Sequence, residues 1–165
     1  MTQPHQDPLR SHLTNLLSQP QAHATLEQVL DGFPLSQINE RLSGLPYSAA
    51  EILWHLRFTQ RDLLDYITAE QGSYQAPAWP EGYWPHRWLS VQEWQAEAEA
   101  YQADLTTTLA LVADEETDLL APVPHAQQPS HTVLRSVLLM ADHNAYHTGQ
   151  LALLKRLLGG GTSMT

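Results

Sequence analysis

Apolar residues in this chain recur at intervals of three and four along nearly its whole length, and no sustained run alternates apolar with polar between turn signals. A repeat of that kind gives each segment one apolar helical face, and without a sheet to cover it the face must be buried against other helices. The chain is thereby restricted to all-α folds. It has no internal repeat of solenoid length and no low-complexity segment.

Turn and cap residues divide the pattern. A first helical region is expected from about Leu9 to Asp31, interrupted near Pro20, with Leu13, Leu16 and Leu17 on one stripe and Ala22, Leu26, Val29 and Leu30 on a second. Proline lacks an amide hydrogen, so Pro20 kinks one helix or starts another. Gly32 and Pro34 end the region, and Leu35 to Leu42 reads as a short helical turn. Ser48 and Glu51 have capping-box spacing and open a helix from Ala49 to about Glu70, expected to bury Ile52, Leu56, Thr59, Leu63 and Tyr66 or Ile67. Ser90 and Glu93 repeat the signal for a helix to about Val112. A proline-containing linker, Ala121 to Pro129, leads to a last helix from about His131 to Leu158, ended by Gly159, with residues 160–165 as a frayed tail. The prediction is a four-helix bundle with long inter-helix connections, its core within about 9–158 of one domain spanning 1–165.

Charge and composition narrow the function. Eight Lys and Arg stand against eighteen Asp and Glu, a net charge of -10. That balance disfavours binding to phosphate backbones, so no nucleic-acid partner is expected. Eight of the acidic residues lie between Val91 and Asp118, where there is no Lys or Arg, and read as a solvated helix face. The chain has no cysteine, which removes disulfides, thiolate metal ligands and a cysteine nucleophile. No segment has the apolar length of a membrane span, and Met1 to Arg10 is too polar for a signal peptide. A cytoplasmic setting is expected. Neither a G-x-S-x-G turn nor a phosphate-cradling glycine loop is present.

Nine histidines remain as the chief metal-binding resource. His143 and His147 are four residues apart on the last helix, on a face shared with Val133, Met140, Leu151, Leu154 and Leu158. The spacing alone is weak, but two imidazoles turned into an apolar interior must find partners, and one divalent cation satisfies both. His55 borders the buried stripe of the second helix and is the candidate third ligand. Three histidines with an open position suit zinc, nickel or iron; a metal-free core with packed histidines is the competing reading. Gln150, on the His143 side of the helix, could support a ligand from behind. Asp142 points away. His23 shares a face with Leu26 and Leu30 and reads as a hydrogen-bonded core histidine within reach of the cavity. His86, His125 and His131 fall in or beside loops, and His5 and His12 read as surface residues.

The segment Ser48-Ala49-Ala50-Glu51-Ile52-Leu53-Trp54-His55-Leu56 and the segment His143-Asn144-Ala145-Tyr146-His147-Thr148-Gly149-Gln150-Leu151 together resemble the DinB-like (DinB/YfiT-like) metalloenzyme superfamily. The likeness covers about Ala22 to Leu158. It implies a four-helix bundle with a divalent metal, zinc or nickel before iron or manganese, on His55, His143 and His147. It also implies a small-molecule substrate, with activities that include joining a low-molecular-weight thiol to an electrophile; a related hydrolase is a second enzymatic reading. Homodimers are frequent among such proteins, so a homodimer is implied. A non-catalytic metal- or ligand-binding bundle is the alternative. The chain departs from many relatives in its aromatic connection, residues 74–88, around Trp79-Pro80-Glu81-Gly82-Tyr83-Trp84-Pro85. Trp84 reads there as part of a lid or pocket wall, or else as a hydrophobic plug.

Overall fold

The computed structural model describes residues 7–84 and 87–159. Expectations for His5, His86, Pro85 and the tail at 160–165 lie outside the described residues. Five α-helices form, with no strand among the described residues: α1 (Pro8–Ser18), α2 (Leu26–Leu30), α3 (Ala49–Thr68), α4 (Val91–Ala113) and α5 (Val133–Gly159).

The helix starts follow local chemistry. Ser48 with Glu51 and Ser90 with Glu93 both form reciprocal capping boxes, satisfying amide hydrogens that an open helix end leaves unpaired. A third capping box, Thr25 with Gln28, opens α2. Residues 20–25 are therefore outside any helix, and the region expected from Leu9 to Asp31 with an interruption near Pro20 is two helices with a non-helical segment between them. Leu13 is buried as expected, but Leu16 is exposed. The last helix begins two residues later than predicted, because Thr132 accepts the Arg135 amide through its hydroxyl, and Gly159 lies inside the helix instead of stopping it.

Side-chain pairs set the helix directions. Arg57 meets Glu97, the Gln60 amide donates to the Tyr101 carbonyl, and Arg61 meets Asp104, so α3 and α4 run parallel. Across α5 the order reverses, with His55 against His143 and Tyr66 against His131, so α3 and α5 are antiparallel. Parallel neighbours require a connection that returns along the bundle, and residues 69–90 provide it. On the far side α1 packs on α4 and α5. The Arg10 guanidinium donates to the carbonyls of Val112, Asp114 and Thr117, serving the electronegative end of α4.

Packing on two sides also explains the face that α3 buries. Ile52, Leu56 and Ile67 are buried as predicted, whereas Thr59 and Leu63 are only half-buried and Leu53, Gln60 and Leu64 go fully inward. The acidic face of α4 departs from expectation in the same way. Glu97 and Asp104 turn toward Arg57 and Arg61 instead of into solvent, since a carboxylate facing a parallel helix is stabilised by a cation there.

One apolar cluster fills the end of the bundle holding Leu53, Leu56, Leu105, Leu151 and Leu154, and another the end holding Leu13, Val112, Val133 and Val137. Gln60 lies buried in α3, donating to α4 and accepting from Asn144 of α5 at 2.8 Å. Among the described residues, no helix is long and apolar enough to cross a membrane.

Candidate metal centre

α3 and α5 together bring His55, His143 and His147 to one place. Their ring centroids lie 4.4–4.9 Å apart, and a ligand atom on each falls within 4.8 Å of the others. His55 and His147 are buried and His143 is half-buried. The i,i+4 spacing puts the α5 pair on one face, and the antiparallel packing of α3 sets His55 opposite.

Hydrogen bonds decide which nitrogens converge. His55 Nδ1 donates to the Tyr83 carbonyl at 2.7 Å, and His147 Nδ1 donates to the Gln150 side-chain oxygen at 2.7 Å. With the hydrogen held at Nδ1, each neutral ring keeps its lone pair on Nε2. His55 Nε2 and His143 Nε2 face each other at 3.0 Å. Two nitrogens bound to one tetrahedral zinc at about 2.0–2.1 Å would stand roughly 3.3 Å apart. The donor set and its spacing therefore fit a divalent cation. His143 Nδ1 is buried and has no hydrogen-bond partner among the described residues, so this ring is the least anchored of the three.

Burial keeps the three rings neutral. Burial pushes His55 down to about 4, with the Tyr83 carbonyl opposing and the nearby His147 adding to the effect. Burial, then the neighbouring His147 and His55, pushes His143 down to about 3. Burial also lowers His147, against the opposing hydrogen bond to Gln150. All three are neutral at neutral pH. Among the described residues no carboxylate and no fourth histidine joins the cluster.

The aromatic connection reaches into this site. The Trp84 indole stacks on His55 and on Tyr47, with centroids 3.9 Å and 3.7 Å away. Tyr146, on α5, sets its ring edge-on to His147. Trp79 and Trp88 are mostly exposed, so only part of the connection packs down.

The other sequence candidates resolve as follows. Gln150 accepts a hydrogen bond from one of the three imidazoles, that of His147. His23 is exposed and, among the described residues, bonds only the neighbouring Ala24 carbonyl. It precedes Thr25, the cap of α2, so the helical face that would have turned it inward does not include it. His125 is half-buried and fixed, donating to the Ala69 carbonyl and accepting the Gly72 amide. With His131 it lines a cavity of about 650 Å³ beside Tyr66 and Tyr74. His12 is exposed as expected. Tyr83 and Tyr47 were missed. The first acts through its backbone carbonyl, which no side-chain motif marks, and the second stands just ahead of the Ser48 cap.

A family model described as the DinB superfamily matches residues 20–151 and takes in all three histidines. No curated protein matches the chain.

Proposed function

Because this chain belongs to the DinB superfamily, we propose that it is a divalent-metal-dependent enzyme whose metal is held by His55, His143 and His147. The observation that carries this reading is the outward anchoring of two rings. Tyr83 and Gln150 take the Nδ1 hydrogens of His55 and His147, leaving their Nε2 lone pairs free in a cluster that no other described His, Asp or Glu joins. Zinc or nickel suits three imidazoles with an open position.

When bound, the cation supplies a Lewis acid that favours the deprotonated form of a thiol or water in its open position. Thiol transfer is the first reading and hydrolysis the second, since a thiol, with an ordinary pKa of about 8.5, is far more acidic than water and is the more readily deprotonated in such a position. The chain has no cysteine, so the sulfur belongs to a small cosubstrate, drawn in a cytoplasmic setting from the soluble thiol pool. Trp84 and Tyr47 wall the His55 side of the site against water, and Tyr146 stands at the His147 side.

The expected homodimer has a surface available to it. Leu139, Tyr146, Leu153 and Leu157 are exposed and follow one line along the outer face of α5. Sedimentation of wild type against Leu153→Glu tests it, a monomer only in the variant being the expected result.

The function is tested by elemental analysis and anomalous diffraction on protein purified without a histidine tag, followed by assay of small thiols with a chromogenic electrophile. One equivalent of divalent metal and metal-dependent thiol consumption are expected. Metal-free protein that cannot be loaded would overturn the reading.

A further inference from the structure

Asp62 lies seven residues after His55 on α3, which places it on nearly the same helical face about 10 Å farther along the axis. One residue of the α3–α4 connection spans that distance. The Tyr83 carbonyl accepts from His55 Nδ1 at 2.7 Å, and the Tyr83 hydroxyl donates to Asp62 Oδ2 at 2.6 Å. The other carboxylate oxygen accepts the Tyr74 hydroxyl at 2.9 Å. The Tyr83 ring is held edge-on against Phe58, with centroids 5.4 Å apart. A hydrogen bond to an ionised carboxylate is among the stronger neutral-to-charged contacts available to a tyrosine. Burial, then the bond to Asp62, raises both phenols well above their ordinary range, so they remain donors.

We propose that Asp62 is a positioning residue for His55, acting through the two ends of Tyr83. The inference rests on the reading of the three-histidine centre as a metal site. Asp62 touches none of the three rings through a direct hydrogen bond among the described residues. It fixes the Tyr83 hydroxyl, the ring fixes the backbone at residue 83, and the carbonyl there sets the tautomer and rotation of His55. Tyr74 binds the same carboxylate and makes no hydrogen bond to the histidines, which provides an internal control.

The test compares wild type with Tyr83→Phe, Asp62→Ala and Tyr74→Phe. Zinc affinity is read by competition with a chromophoric chelator, and the ligand field by the visible spectrum of the cobalt(II) form. Tyr83→Phe and Asp62→Ala should each weaken zinc binding by about tenfold or more, in the range seen for partners behind a metal ligand, and should shift the cobalt(II) bands. Tyr74→Phe, which also removes one hydroxyl from Asp62, should bind zinc within about twofold of wild type on the same grounds. Wild-type affinity in Tyr83→Phe, or equal loss in Tyr74→Phe, would overturn the positioning role while leaving the metal site standing. Wild-type protein that takes up neither ion would overturn the metal reading itself, and this inference with it. Should Asp62→Ala fail to fold, the two conservative tyrosine variants decide the matter alone.

Discussion

The Trp84 indole lies flat on the His55 imidazole, with ring centroids 3.9 Å apart and planes 6° from parallel. The same indole is stacked on Tyr47 within 4° of parallel. A residue of the connection thus acts as a wall against one metal-ligand candidate. Truncation in Trp84→Ala should speed metal release to a chelator several-fold and cost about 1–3 kcal/mol of stability. Trp84→Phe should recover much of both. Unaltered release with a large loss in melting temperature would assign the indole to plugging alone.

His147→Ala removes one of three convergent nitrogens and leaves the Gln150 oxygen without its donor. Metal content in untagged protein should fall from one equivalent to a small fraction of that, with helix content by circular dichroism unchanged. Full occupancy by elemental analysis would refute the assignment.

Burial holds His55 and His143 at about 4 and about 3 and lowers His147, whereas an unfolded chain takes up these protons near the ordinary value of about 6.5. Below that value the unfolded state binds more protons than the folded one. Stability of the metal-free protein is therefore fully present above about pH 6.5 and declines as the pH falls toward about 4. Urea midpoints of chelator-treated protein, followed from about pH 7.5 to 5, should decline, and less steeply in His143→Leu. Identical slopes in the two proteins would contradict the shift.

Gln60 is fully buried and bonded to both α4 and α5. Gln60→Leu strands the Asn144 amide and should cost about 2–3 kcal/mol. Adding Asn144→Leu removes the stranded group, so the double variant should be more stable than the sum of the single losses, by about 1 kcal/mol or more. Strict additivity in denaturant titrations would mean that the two amides are not coupled.

Features carried by residues close in sequence were legible in advance. The capping boxes at Ser48 and Ser90 and the α5 pair His143 and His147 all depend on spacings of three or four, which helix geometry converts directly into contact. His55 was reached by its place beside an apolar stripe and by family resemblance. What stayed hidden depends on tertiary placement. The parallel setting of α3 and α4 is what turns Glu97 and Asp104 inward, and it leaves no periodic trace. Neither does the Tyr83 carbonyl, since every residue has one. His23 misled because its apparent helical face continues past the point where Thr25 begins the helix.

The two supports of His55 are neighbours in the chain, Tyr83 behind the ring and Trp84 over it. A proteolytic nick or relocated termini between residues 71 and 82 would leave every long helix intact. It would nonetheless cut the covalent link between α3 and the stretch of backbone that aims this imidazole, leaving the contacts of Tyr83 with Asp62 and Phe58 to hold it. Redesigned versions of this chain that delete residues 83 and 84 would lose both supports of His55, even where all three histidines survive.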